Sequence, residues 1–136
     1  MTTITRNAPA TSTTSLWKPA TVAGLGAAAA TAAIAVVAHT AGVSLEVGGE
    51  PIPPSGFATM TLLAVVLGFG LAVALRRWAG NPRQTFVRAT IALTALSFVP
   101  DLLVSASSAT RLTLMATHVV AAAIVIPAIA RRLARD

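Results

Sequence analysis

The chain has 136 residues, enough for one domain, and it is 55% hydrophobic and 10% charged with a mean hydropathy of +0.78. That leaves too little polar surface to cover a water-exposed globule, so the solvent for most of the chain is lipid. The net charge of +6 sits beside apolar runs instead of forming a basic stripe with interleaved aromatics, which argues against nucleic acid, and the lack of cysteine excludes disulfides, thiolate metal ligands and a Cys nucleophile.

Residues 1–18, rich in Thr, Ser and Ala, read as a flexible cytoplasmic tail. A bilayer core of about 30 Å at about 1.5 Å per residue needs roughly 20 apolar residues to cross it. Four segments meet that need, at 19–41, 54–75, 85–104 and 112–130. The first opens on Pro19, suited to a first helical position, and closes before Gly42, a natural C-cap. It has a rival reading, because Lys18 ahead of an apolar run and Val36-Val37-Ala38 together resemble a secretory signal with a small-residue cleavage site. Its apolar run is longer than such signals usually carry, and cleavage would leave three spans.

Gly24, Ala28 and Ala32 recur every four residues in the first span, as do Ala64, Gly68 and Ala72 in the second. Small-residue ridges of this kind let helix backbones approach closely in lipid, within one bundle or across a homodimer seam. In the connector at 42–53, Val43, Leu45 and Val47 alternate with Ser44 and Glu46 before Gly48-Gly49. That predicts a short extended segment or mini-hairpin lying over the helix ends. The second span ends at Arg76-Arg77, and Gly80-Asn81-Pro82 makes a tight basic turn into the third. Pro100 and Pro127 each remove a helix hydrogen bond and can kink their spans, Pro100 leaving the Leu96 carbonyl free.

Basic residues are sorted by side. Arg6 and Lys18 precede the first span, Arg76, Arg77, Arg83 and Arg88 surround the turn between the second and third, and Arg131, Arg132 and Arg135 follow the fourth. Only Arg111 lies on the other side. By the positive-inside rule both termini are cytoplasmic, in a multi-pass protein of the cell membrane. The expected fold is all-α, a membrane up-and-down four-helix bundle over 19–133 with a short extended outer loop.

The candidate site lies in the last two spans. Thr90, Thr94, Ser97, Asp101 and Ser105 fall along one helix face, which on a membrane helix should turn toward the bundle. Asp101, about 24 Å along its span, and His118, about 9 Å into the next, come to similar depth on the outer side. Arg111, seven residues before His118, stands at the outer mouth. Three readings compete for this cluster. In the first, Asp101 is structural, paired with Arg111 or with Ser and Thr hydroxyls, while His118 satisfies a buried partner. The cluster otherwise forms a small-molecule, proton or cation site open to the outside, or supports catalysis or metal binding. His39, Glu46 and Glu50 are weaker outer candidates, and their spacing with Asp101 and His118 matches no metal motif.

Several stretches resemble a known family: 42–47, 53–61, 93–101 and 117–122, the third containing Ser97, Pro100 and Asp101 and the last Thr117 and His118. They are similar to an actinobacterial four-helix membrane family catalogued as a domain of unknown function. The resemblance covers Pro19 to Leu133 and implies an integral membrane protein without supplying an activity.

The expectation is a non-enzymatic membrane protein with no cofactor and no metal. It binds a small ligand or a membrane partner through an outer polar pocket of Asp101, Arg111 and His118, with Ser97 and Thr94 contributing. Its partners are the bilayer and a second copy or a membrane protein. A small oligomeric transporter or proton- or cation-coupled permease is the alternative, and a membrane enzyme the third reading.

Overall fold

A computed structural model describes residues 14–133. The elements are α1 (Thr14–Thr40), β1 (Glu46–Val47), β2 (Glu50–Pro51), α2 (Pro54–Trp78), α3 (Pro82–Leu103) and α4 (Ser108–Leu133). All four helices are long and apolar enough to cross a membrane, and they form the expected all-α four-helix bundle. Lys18, Arg77, Arg83, Arg131 and Arg132 mark one end of it, here the basic end; the β1–β2 hairpin marks the other.

The helix ends differ from hydropathy boundaries for local reasons. α1 begins at Thr14, so the last part of the expected tail is helical, held by Leu16, which is buried in the core of the basic end. Pro19 therefore sits inside the helix and not at its first position. Residues 1–13 of the expected tail lie outside the described residues. After Thr40, the Gly42 N–H donates to the His39 carbonyl and the Val43 N–H to the Ala38 carbonyl, both at 3.0 Å. This pair of bonds is a Schellman cap, which needs a left-handed residue, and Gly42 supplies it at φ +89.

α3 starts at Pro82 because the Asn81 side chain accepts from the Gln84 N–H at 3.3 Å and proline tolerates a first helical position. α4 starts at Ser108, where the Ser107 hydroxyl accepts from the Thr110 N–H at 3.1 Å.

α1 packs against both α2 and α4, whereas α3 leans chiefly on α4 and lightly on α2. The buried face of α1 is almost wholly small: Ala20, Ala23, Gly24, Ala27, Ala28, Thr31 and Ala35. Of the expected ridge, Gly24 and Ala28 are buried and Ala32 is half-buried. The expected α2 ridge is not the contact face: Ala64 is exposed and a side chain on Gly68 would meet nothing within 4 Å, so only Ala72 is buried. α2 instead presents Phe57, Thr61 and Val65 with Ala72. Two small faces laid together would leave a void, so the trough on α1 is filled by larger side chains from α2.

At the tightest point, a Cβ on Gly24 would come within 2.9 Å of Val65 Cγ1. Nearer the hairpin, Thr31 and Thr61 meet across the same interface at 2.9 Å. Each hydroxyl has one proton, and Thr61 also approaches the Phe57 carbonyl at 2.8 Å. The chain Thr31 to Thr61 to the Phe57 carbonyl uses both protons and satisfies the buried pair without water. Cleavage under the signal-sequence reading would remove the most embedded of the four helices.

The hairpin closes one end as the alternation predicts. Leu45 is only 2% exposed and packs with Ala35 and Phe57, while Ser44 and Glu46 face out. Leu45 holds this place at φ 55, an unusual conformation for a residue with a side chain. Gly48 and Gly49, at φ 62 and 87, turn the chain so that Val47 pairs Glu50 and Glu46 pairs Pro51. The Gly48 N–H then donates to the Ser105 carbonyl at 2.9 Å, stitching the hairpin to the α3–α4 connector. Ser105 thus belongs to that connector and not to the polar face of α3, which ends at Leu103.

The Gly24–Val65 contact has an internal control, because a side chain on Gly26 would meet nothing within 4 Å. Gly26→Ala should leave thermal stability in detergent unchanged or raised by up to about 1 kcal/mol through helix propensity. Gly24→Ala should instead lose about 1–3 kcal/mol to overpacking, and Val65→Ala in the same chain should recover part of that loss.

Candidate functional site

Most of the α3 polar face is satisfied within its own helix. Thr90 donates to the Phe86 carbonyl at 2.7 Å, Thr94 to that of Thr90 at 2.8 Å, and Ser97 to that of Thr94 at 2.6 Å. Hydroxyls used this way bond back along their helix and do not join it to a neighbour. Asp101 has no such outlet, since an ionised carboxylate only accepts and the carbonyls of its own helix offer no proton.

Asp101 is 8% exposed and turns to α4, where its Oδ2 lies 2.8 Å from Nδ1 of His118. Neither atom makes an aligned hydrogen bond despite this approach, so the contact is close but off-axis. The His118 side chain is 39% exposed, so the pair couples a buried carboxylate to an imidazole with an open side. Phe98, one turn before Asp101, tilts against the His118 ring with centroids 6.2 Å apart.

Arg111 does not join them. The expected Asp101–Arg111 ion pair is absent among the described residues; Arg111 Nη2 instead donates to the Val104 carbonyl at 2.9 Å. Val104 is the C-cap of α3. Carbonyls at a helix C-terminus are unpaired and carry the negative end of the dipole, so they attract a cation placed on the first turn of the next helix. Arg111 thereby clamps α3 to α4, leaving its Nε buried without a hydrogen-bond partner.

His39 is exposed at the end of α1, and Glu46 and Glu50 are exposed on the hairpin. Among the described residues no three of His, Cys, Asp and Glu converge as metal ligands. Thr94 lines an apolar groove of about 240 Å³ between α3 and α4, with Ile91, Ala95 and Phe98 on one wall and Val119, Ala122 and Ile126 on the other. Phe98 belongs both to this groove and to the contact with His118, so the polar pair stands at one end of the apolar groove.

Phe98 and the buried face of α4 carry no charge and so are not marked by the placement of ionisable residues. Thr110, Thr113 and Thr117 are all buried there. Their i, i+3, i+7 spacing was the available signal. Thr113 and Thr117 donate to the carbonyls of Ala109 and Leu114.

The model of a family of unknown function, DUF6069, matches residues 11–135. The chain belongs to that family. The match extends past both ends of the 19–133 domain expected from the sequence. No curated protein and no solved structure matches the chain.

For this DUF6069 member the two possible partners of Asp101 are separable by double-mutant cycles in detergent unfolding. Asp101→Asn with His118→Gln should show a coupling of about 0.5–3 kcal/mol, as residues in contact do. Asp101→Asn with Arg111→Met should show a smaller coupling, because Arg111 bonds to the Val104 carbonyl and reaches Asp101 only through the register of α3 against α4.

Proposed function

We propose that this multi-pass membrane protein is non-enzymatic and binds a small amphiphilic molecule at its hairpin end. Asp101 and His118 hold the polar group, and the groove between α3 and α4 takes the apolar part. One observation carries this reading: a buried carboxylate and a half-open imidazole, 2.8 Å apart, stand at the head of an apolar groove and share Phe98 with it. Ionisable groups inside a span are costly to keep and mark functional positions by default. The carboxylate only accepts, while the imidazole can donate or accept, which suits a ligand bearing an amine or a hydroxyl.

The few titratable groups at this depth favour binding over catalysis, which would need a nucleophile or acid–base set arranged around a reacting atom. Sorting of basic residues supports cytoplasmic termini in the cell membrane, and so a site that opens toward the outer leaflet. Arg111, in this account, holds the two helices in register and does not touch the ligand.

The test is mass spectrometry of small molecules retained through gentle purification by the wild-type chain, Asp101→Asn, His118→Gln and Ala122→Phe, each checked for helicity. The wild type should retain an amphiphile at least about tenfold over every variant, a difference near 1.4 kcal/mol in binding. Identical retained profiles in all four would remove the site from the account.

A further inference from the structure

A second groove, of about 380 Å³, lies between α1 and α2. It arises from the packing itself. Gly24 lets the two backbones close on Val65, while the larger side chains on either side stand away from each other. The walls are Trp17, Thr21 and Leu25 on α1 and Leu62, Val66 and Phe69 on α2. From Leu25 to Trp17 the trough runs eight residues, about 12 Å along the helix. Its polar wall residue, Thr21, already donates to the Trp17 carbonyl at 2.8 Å, so the surface offered is hydrocarbon-like.

The trough leads to the basic end. Lys18, beside Trp17, is exposed, and so is Arg77, about two turns beyond Phe69 on α2. Among the described residues this end carries no acidic side chain: Glu46 and Glu50 are on the hairpin, and Asp101 is near the far end of α3. Both tryptophans of the chain are here as well, Trp17 at 49% and Trp78 at 81% exposure. Amphipathic indoles favour head-group depth, which places the mouth of the trough at the membrane–water boundary. An apolar trough below the exposed Lys18 and Arg77 matches a phospholipid with a net negative head group. A zwitterionic lipid would fill the trough equally well but gain nothing from these cations.

We infer that the α1–α2 groove at the basic end is a binding site for an anionic phospholipid, one acyl chain lying between Trp17 and Leu25 and the head group held by Lys18 and Arg77. This site is at the opposite end from Asp101 and His118 and does not depend on the ligand proposed there. Neither groove has a basic residue in its walls; what sets the α1–α2 groove apart is that it opens toward the exposed Lys18 and Arg77.

Each tryptophan reports its own surroundings. The full chain, as Trp78→Phe to leave Trp17 and as Trp17→Phe to leave Trp78, is reconstituted in phosphatidylcholine nanodiscs. These contain an equal share of either brominated phosphatidylglycerol or brominated phosphatidylcholine, whose acyl bromines quench indole on contact. Trp17 should favour the anionic quencher, by about fivefold for each cation that meets the head group. Lys18→Gln should reduce that preference about fivefold, and Lys18→Gln with Arg77→Gln should abolish it, while Trp78 shows a weaker preference throughout.

Equal quenching of Trp17 by the two lipids overturns the site. So does an identical preference at both tryptophans, the mark of a diffuse charged surface, or a preference that survives the double variant. Native mass spectrometry of the unaltered chain in mixed micelles, counting retained phosphatidylglycerol against phosphatidylcholine, gives a readout that needs no variant, and equal retention there is also a refutation.

Discussion

The bundle depends on how closely α1 and α2 approach at Gly24. In hydrocarbon, apolar surface is not driven from its solvent, so helices associate through dispersion contacts and a few hydrogen bonds, both of which require close backbones. The small face of α1 provides that closeness, and Val65, Thr61 and Phe57 of α2 fill it. The Thr31–Thr61 pair can form only because the backbones are already near. The same face brings α1 against α4, so one helix organises two interfaces.

α3 is the peripheral helix, and its construction follows from that position. Large apolar side chains such as Ile91, Leu93, Leu96 and Leu102 are exposed along it. Its hydroxyls return to their own backbone, which suits a helix with few neighbours to bond. What holds its hairpin end is external. Arg111 caps the Val104 carbonyl from α4, and the hairpin N–H of Gly48 reaches the Ser105 carbonyl just beyond. These two bonds satisfy acceptors that would otherwise be unpaired where the chain leaves the helix. They also fix the register in which Asp101 meets His118.

The two ends of the molecule consequently present different chemistry to the membrane. At the hairpin end, a carboxylate that cannot bond to its own helix is matched to one imidazole beside an apolar groove. At the basic end, exposed cations and indoles stand near a larger groove created by the α1–α2 contact. One feature produces the core and another its polar site.

Composition, run length, the placement of Gly42 and the Gly80-Asn81-Pro82 turn are local properties, so they determine by themselves that this chain makes four membrane-length helices with an extended connector between the first two. The depth match of Asp101 and His118 was legible for the same reason, since rise per residue converts sequence distance into depth. The choice of partner was not. Asp101 could reach either Arg111 or His118 on spacing alone, and only the rotation of α3 against α4, with the C-terminal carbonyl of α3 competing for the guanidinium, decided for His118. The α2 ridge failed likewise: Ala64, Gly68 and Ala72 satisfy the small-residue spacing, yet a small face needs a larger one opposite it to exclude voids. Periodicity identifies the faces a helix owns, whereas which face is buried depends on the shape of its neighbour, and that exists only once the bundle has packed.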